Sequence, residues 1–279
     1  MIPDRREPFA GSGKNPGGEK GAAPDLWVRF FGGFEVSCRG EPLELGRNSK
    51  AVAIFKCLLA RKGRPVSQET LMGWLWPESS PKKARWSLNS AVYALRRSLD
   101  EHSPDIASSD CVILGRGHYH LARGLRISSD VEEFDAGYER GRFLERARKT
   151  EDAVSEYEEA VALYRGDYLV EDLYEDWTMI ERERLTSAYV DLLDRLAAYY
   201  ARTGNLQRCI TDRYRLLEKD PYHEESYRSL MRCYARLGLR GRALRQYELC
   251  ERRLRSLHDI PAAPETRELH EKLLDGEEI

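Results

Sequence analysis

The stretch that decides the fold is Ser80-Pro-Lys-Lys-Ala-Arg-Trp-Ser-Leu-Asn-Ser-Ala-Val-Tyr-Ala-Leu-Arg-Arg-Ser-Leu99. Ser80 is a favourable N-cap and Pro81 suits the first helical position, so the stretch is predicted to be a helix. One side of that helix is apolar, because a leucine or valine recurs at steps of four, three and four residues. The members of this apolar stripe are Leu88, Val92, Leu95 and Leu99.

The neighbouring face of the same helix carries cations, an amide and two aromatic side chains. At 3.6 residues per turn it collects Lys82, Arg85, Trp86, Asn89, Tyr93, Arg96 and Arg97. Lys82 and Lys83 occupy the first turn, where the helix dipole favours acids and a cation costs about 0.3–1 kcal/mol. Such violations are expected at functional sites, and a nucleic-acid phosphate would relieve this one. An ordinary solvated basic face is the alternative, and the helix alone does not separate the two.

Short strands and helices surround the basic helix in an informative order. Residues 26–45 are rich in β-forming residues and contain a hairpin signal at Gly32-Gly33. Two helices are predicted next, over 49–61 and from Ser67 to Pro77. A second hairpin follows the basic helix, around the turn at 115–117. Sheet, two helices, basic helix and hairpin form the winged helix-turn-helix plan, in which the third helix enters the major groove of DNA.

The second half of the chain has an almost continuous helical pattern with an internal repeat. Gly204 and Gly238 are 34 residues apart, as are Tyr200 and Tyr234, and 34 residues is the tetratricopeptide period. A weaker earlier copy is centred on Tyr157. Residues 166–186 break the period. The prediction is therefore a helical bundle of three repeat-like hairpins, with an insertion after the first.

Composition sets the class of protein. With 279 residues, 41% hydrophobic and 33% charged, the chain is predicted to be a soluble protein of about two domains. It lacks a membrane-length apolar run and a signal peptide, and its six cysteines form no CxxC pair. These features indicate a cytoplasmic protein with reduced cysteines and no membrane partner. The predicted domains are a disordered extension over 1–24, a winged helix-turn-helix domain over 25–125 and a helical domain over 131–274.

Charge is distributed unevenly between the two halves. Residues 25–130 carry a net charge of +5, whereas residues from 131 onward carry −8. This asymmetry suggests that each half has its own partner. The many carboxylates between Glu151 and Glu183 have helical surface spacing, and a solvated acidic face is the expectation there.

No motif for catalysis or for cofactor binding is present. The sequence contains no Walker lysine, GxSxG, HExxH or paired-cysteine pattern, so the prediction is a protein that is not an enzyme and needs no cofactor. His118 and His120 alternate in a predicted strand and share one face, but no third ligand accompanies them. The prediction is therefore no metal site, and a wing that contacts phosphate is the alternative use of this hairpin.

The motifs of the first half resemble an OmpR-type winged helix. They are Leu26-Trp-Val-Arg-Phe-Phe-Gly-Gly-Phe-Glu-Val36, Arg64-Pro-Val-Ser67, Leu71-Met-Gly-Trp-Leu-Trp76 and Ala84-Arg-Trp-Ser-Leu88. The back half resembles the bacterial transcriptional activator domain, and Pro261-Ala-Ala-Pro-Glu-Thr-Arg267 resembles its closing motif. Together, over 26–274, the chain resembles the SARP-type bacterial activators.

The resemblance implies a transcriptional activator that binds double-stranded promoter DNA, usually at direct repeats, with self-association on DNA and recruitment of RNA polymerase. It implies base contacts from Arg85, Asn89 and Tyr93. The expected contacts to the DNA backbone come from Asn48, Ser49, Lys50, Lys82, Lys83, Arg96, Arg97 and Arg116. Trp86 departs from the polar residue that relatives often carry there, and packing is the alternative role for its side chain.

A second hypothesis belongs to a different functional class. The chain could be a tetratricopeptide-like scaffold for protein interactions whose winged domain does not bind DNA. The row of cations on the third helix distinguishes the two hypotheses, because a scaffold has no reason to keep it.

Overall fold

The computed structural model describes residues 24–46, 48–102, 111–258 and 260–277. The disorder predicted for 1–24 therefore lies, apart from Pro24, outside the described residues. The described chain is mainly α-helical, with a winged helix-turn-helix followed by an all-α bundle, as predicted. Within these ranges no helix is long and apolar enough to cross a membrane.

The first half alternates short strands with three helices. In chain order its elements are β1 (Leu26–Arg29), β2 (Glu35–Cys38), β3 (Glu41–Pro42), α1 (Ser49–Ala60), β4 (Val66–Ser67), α2 (Gln68–Leu75), α3 (Pro81–His102), β5 (Val112–Gly115), β6 (His118–Leu121) and β7 (Ile127–Ser129). The strands form two sheets, with orders β3-β2-β1-β7 and β4-β6-β5. β1 pairs antiparallel with β2, as the Gly32-Gly33 signal predicts, and parallel with β7 on its other side.

The helices of this half begin and pack as the sequence predicts. Ser67 caps α2, since its Oγ accepts a hydrogen bond from Thr70 N at 3.0 Å. All four members of the apolar stripe on α3 are at most 3% exposed and pack into the core. The turn between β5 and β6 places Arg116 and Gly117 at φ values of 49° and 79°. Two successive residues with positive φ are typical of the tight type I′ hairpin turn.

The second half is a bundle of helices joined by short turns. Its helices are α4 (Asp130–Arg146), α5 (Thr150–Leu163), α6 (Asp176–Thr203), α7 (Leu206–Lys219), α8 (Glu224–Arg236), α9 (Arg240–His258) and α10 (Pro264–Asp275). Helices α4 to α9 form the three predicted hairpins. Gly204 and Gly238 follow the ends of α6 and α8 with φ values of 81° and 71°. The 34-residue repeat thus marks two equivalent left-handed turns, where glycine carries no steric penalty.

Residues 164–175, which overlap the start of the predicted insertion over 166–186, pack against the first half. Leu169 N donates a hydrogen bond to Phe30 O at 2.9 Å. The Phe31 ring lies 4.7 Å from the ring of Tyr164 and 5.4 Å from that of Phe134, measured between centroids. The buried side chains of the two halves form one continuous hydrophobic core. The hydrophobic core beneath the N-terminal sheet is therefore completed by residues of the helical half.

Three carboxylates of this region correct the expectation of a solvated acidic face. Asp172 Oδ2 lies 2.6 Å from Lys56 Nζ on α1, and Glu171 Oε1 accepts a hydrogen bond from Phe34 N at 2.8 Å. Asp167 pairs with Lys219 Nζ at 2.5 Å. The expectation is wrong at Glu171 and Asp172 because the segment folds back onto the N-terminal half, and at Asp167 because its carboxylate pairs with a lysine of α7 within the helical half.

Candidate nucleic-acid interface

The face of α3 opposite the buried stripe is open to solvent. Trp86 is 71% exposed and Tyr93 is 70% exposed, and Asn89 is exposed between them. Such exposure is unusual for large aromatic side chains, which normally supply core packing. The packing alternative for Trp86 is therefore wrong. The base contacts that the resemblance implies do not include Trp86, although its position on the helical face beside Lys82 and Asn89 is a usable signal.

The cations at the start of α3 are unneutralised. Lys82 and Lys83 are exposed, and no residue in the described part of the chain forms an ion pair with either. Arg85 is 58% exposed at its side chain, and its Nη2 lies 3.8 Å from Glu69 Oε1 on α2. An ion pair of that length between exposed groups is weak and easily exchanged. The first two turns of α3 thus present three available positive charges.

The cations at the other end of α3 already have partners. Arg96 donates from Nη2 and Nε to Val112 O, at 2.7 and 3.2 Å, and so ties α3 to the wing strand β5. Arg97 Nε donates to Glu101 Oε1 at 2.7 Å, and this hydrogen bond raises the pKa of the Arg97 guanidinium. The row of four cations predicted from the sequence therefore divides into an available pair, Lys82 and Arg85, and a partnered pair.

The start of α1 presents a capped helix N-terminus. Asn48 Oδ1 accepts hydrogen bonds from Lys50 N and Ala51 N, each at 3.1 Å, so this side chain caps the helix. Ser49 is exposed, and Lys50 Nζ lies 5.9 Å from the centre of the Trp76 ring. The cap holds Ser49 and Lys50 at the helix N-terminus, where the backbone dipole also favours anions.

The wing carries one exposed cation at its tip. Arg116 is exposed in the tight turn, and its carbonyl oxygen lies 3.1 Å from Nδ1 of the exposed His118. His120 is half-buried, with Nδ1 3.0 Å from Leu121 O. Among the described residues no three histidine, cysteine or carboxylate side chains come together as a metal site.

Comparison with known proteins agrees with this architecture. The model of the bacterial transcriptional activator domain matches residues 129–274, just over half of the chain. The chain belongs to the bacterial transcriptional activator domain family. A second model, "Transcriptional regulatory protein, C terminal", matches residues 40–110 and covers α1, α2 and α3. The pair of domains makes the chain a SARP-type transcriptional regulator and not an enzyme, as the resemblance implied.

Named members of the family align over most of the chain. The transcriptional regulatory protein MoaR1 of Mycobacterium tuberculosis (strain ATCC 25618 / H37Rv) is 25% identical over 244 residues, covering 88% of this chain and 78% of MoaR1. The transcriptional regulatory protein EmbR of the same strain is 26% identical over 256 residues, covering 88% of this chain and 62% of EmbR.

A solved structure has the same fold as the present chain. The structure of Mycobacterium tuberculosis EmbR in complex with a low affinity phosphopeptide superposes with a TM-score of 0.73 at 23% identity. The match covers 92% of this chain and 67% of the EmbR chain. Both the winged half and the helical half of the fold are therefore shared.

Proposed function

We propose that this protein is a sequence-specific activator of transcription that binds double-stranded promoter DNA by inserting α3 into the major groove. The observation that carries the proposal is the exposed face of α3, where unpaired lysines in the first turn adjoin an amide and two exposed aromatic rings. This face is opposite the buried stripe that fixes α3 in the domain. In helix-turn-helix proteins the second helix of the motif enters the major groove with its N-terminal residues at the base edges.

The residues of this face form two groups, lysines that suit phosphates and side chains that suit the bases. Lys82 and Lys83 are exposed point charges at the start of the helix, which suits contact with phosphates. Arg85 and Asn89 follow one turn apart, and their side chains pair with guanine and adenine respectively. Tyr93 is assigned to the bases as well. Trp86 joins this set because its exposed ring provides an apolar surface for a thymine methyl group.

Two further elements flank the helix in the proposed complex. Ser49 and Lys50, held by the Asn48 cap, contact the DNA backbone at the N-terminus of α1. Arg116 contacts it from the wing. Arg97 contacts phosphate by exchanging Glu101 for the anion, which costs little because both side chains are more than half exposed. Arg96 takes no part in our proposal, since its guanidinium is bonded to Val112 O.

We assign activation of transcription to the two domains acting together. Family membership supports recruitment of RNA polymerase from promoters that contain repeated sites, with self-association of the protein on that DNA. The acidic helical half has charge opposite to that of the DNA-binding half, which supports a separate protein contact. In vitro transcription with purified polymerase from a promoter selected by the protein tests this step, and an unchanged transcript yield on addition of the protein would contradict it.

The experiment that tests DNA binding measures fluorescence anisotropy of labelled random duplex DNA over a series of salt concentrations. Binding should weaken steeply with salt, as counterion release requires. The double change Lys82→Glu and Lys83→Glu should abolish it. The double change Arg252→Glu and Arg253→Glu is the matched control, because it reverses two exposed cations on α9 and should leave binding nearly unchanged. Absence of salt-dependent binding by the unmodified chain would favour the scaffold hypothesis.

A further inference from the structure

The helical half contains a groove between α6 and α8 that the proposed DNA contacts do not use. Its volume is about 500 Å³, and its lining includes Arg213, Ser229 and Cys233. Cys233 is one of six cysteines in the chain. It lies on α8, and its thiol forms a hydrogen bond with Cys209 on α7.

The two thiols are in direct contact. The Cys233 thiol donates a hydrogen bond to Cys209 Sγ at 3.4 Å, and Ser229 Oγ lies 3.5 Å from the same sulfur. No other two cysteines in the described part of the chain are joined by a hydrogen bond. A disulfide requires a sulfur–sulfur distance of about 2.05 Å. The two sulfur atoms must therefore move closer together to form the bond. Rotation of the side chains and a slight movement of the helices are enough to close that distance.

A buried cation accompanies the pair. Arg213 is 3% exposed and forms an ion pair with Asp194, while its Nε has no hydrogen-bond acceptor. The hydrogen bond from Cys233 lowers the pKa of the Cys209 thiol, against the opposing effect of burial, with Ser229 and Arg213 adding to the decrease. The pKa of the donating Cys233 thiol is raised for the same reason.

The other buried cysteines are chemically different. Burial raises the pKa of Cys111 and of Cys250 to about 12, because neither thiolate has a hydrogen-bond donor to offset desolvation. The thiolate is the nucleophilic form of cysteine. The arrangement thus gives Cys209 the character of an attacking sulfur and Cys233 that of a resolving thiol.

We propose that Cys209 and Cys233 form an oxidation site at which a hydroperoxide produces a reversible disulfide between α7 and α8. The Cys209 thiolate attacks the terminal oxygen of the hydroperoxide, the O–O bond breaks, and the departing alkoxide or hydroxide takes up a proton. Cys209 becomes a sulfenic acid. The Cys233 sulfur then attacks the Cys209 sulfur, and the sulfenic oxygen leaves as water with the Cys233 proton. Two thiols are oxidised, and the hydroperoxide is reduced to an alcohol (or water) and water.

The groove approaches this site from the side of Cys233. Both sulfurs belong to residues that are at most 2% exposed. Cys233 and Ser229 line the groove wall, and Cys209 Sγ lies directly behind them, 3.4 Å from Cys233 Sγ and 3.5 Å from Ser229 Oγ. A hydroperoxide is far smaller than the groove, and it reaches Cys209 by passing between these two side chains. The disulfide would connect the second hairpin, α6 with α7, to the third, α8 with α9. Oxidation would then restrict movement between neighbouring repeats, whether or not the winged half is bound to DNA.

Peptide mapping under non-reducing conditions tests the proposal. The full chain is treated with hydrogen peroxide, the remaining thiols are alkylated with iodoacetamide, and the protein is digested with trypsin. Cleavage after arginine releases the peptides 209–213 and 233–236, which should appear as one disulfide-linked species. Dithiothreitol should separate them. Because the fold holds the two thiols in contact, the link should form more than about tenfold faster in the native chain than in urea.

Two variants and an internal control show which outcomes would overturn the proposal. The Cys233→Ser variant should stop at the sulfenic acid, detected as a dimedone adduct on the peptide 209–213, while Cys250→Ser should still form the link. Cys38 is the least buried of the six cysteines and reports general oxidation. Oxidation of Cys38 without the linked peptide, or equal rates of linkage in native and urea-treated chain, would overturn the proposal. The rate comparison requires no variant and therefore does not depend on the folding of either one.

Discussion

The Nζ atom of Lys56 lies 2.6 Å from Oδ2 of Asp172, across the junction between the winged half and the helical half. Lys56 is only 6% exposed on α1, so the pair is largely removed from water. Glu171 Oε2 lies 3.6 Å from the same ammonium group, and the Phe34 ring centre lies 5.1 Å away. A buried lysine requires such compensation, because an unpaired ion in the protein interior costs several kcal/mol.

The first prediction follows from this ion pair. Asp172→Ala should lower the free energy of unfolding by about 3 kcal/mol, because the only carboxylate that Lys56 then keeps is the more distant Glu171. Replacing both partners, with Lys56→Met and Asp172→Leu, should restore most of the loss by exchanging the pair for apolar packing. Urea denaturation followed by circular dichroism measures both changes. Equal losses in the single and double variants would show that the pair does not behave as a coupled unit.

The second prediction concerns the lysine at the start of α3. Lys82→Ala should weaken binding to every duplex by a similar factor and reduce the slope of log K against log salt by about 0.9, the share of one phosphate contact. Arg97→Ala is the comparison, and its effect should be smaller because Arg97 is already paired with Glu101. Anisotropy titrations at four or more salt concentrations measure both slopes. A change of affinity restricted to one DNA sequence would assign Lys82 to base recognition instead.

The third prediction concerns base recognition. Asn89→Ala and Arg85→Ala should each relax the preference at one base pair of the selected site, by roughly 1–3 kcal/mol of discrimination. Binding to other base-pair variants should keep its ranking. Competition against the full set of single-base variants measures this directly. If both changes weaken all variants equally, the exposed face of α3 positions the protein and another element recognises sequence.

Much of this architecture can be predicted from sequence because it depends on local signals. The N-cap at Ser67, the apolar stripe of α3 and the paired glycines Gly204 and Gly238 each act over a few residues. The parallel pairing of β1 with β7 joins residues about 100 positions apart, as in Leu26 and Ile127, and no periodicity encodes it. The site shows the same contrast: exposure of Lys82 follows from the helical face, whereas the bond from Arg96 to Val112 O depends on where the wing strand lies.

The fourth prediction concerns the pH dependence of folding. Burial raises the pKa of Asp130 from 3.8 to about 6, although the carboxylate accepts hydrogen bonds from Phe30 N, Phe31 N and Val131 N. Between these two pKa values the folded state binds more protons at this site than the unfolded state does. The contribution of Asp130 to stability is therefore complete below pH 3.8 and is lost as pH rises through 6, with a slope of up to about 1.4 kcal/mol per unit.

Carbon-13 NMR titration of the Asp130 carboxyl group checks the midpoint directly. The Asp130→Asn variant, which has no ionisation at this position, should lose the corresponding slope when unfolding free energies are compared between pH 4 and 6. A midpoint at or below 3.8 would contradict this prediction, because it would show that the three backbone donors offset the effect of burial completely.

The fifth prediction concerns the contact between α4 and α5. A Cβ atom added at Gly141 would overlap the ring of Tyr157, which is buried against α4. Gly141→Ala should therefore lower the free energy of unfolding by about 1–3 kcal/mol through overpacking. Gly241→Ala on α9 is the control, because no atom lies within 4 Å of the added Cβ and the change should cost nothing. Equal stability of the two variants would mean that α4 and α5 separate without penalty.

The pairing of β1 between β2 and β7 has a consequence for synthesis of the chain. A ribosome releases β1 about 100 residues before β7, and about 140 residues before Tyr168 forms its bridge to Phe31. Contacts so distant in sequence form late and slowly. Until they form, the apolar side chains of β1 are only partly buried. Nascent chains that stall before residue 127 are therefore the species most prone to aggregate and to bind chaperones. The half of the molecule that is made first is thus completed only when much of the second half has emerged.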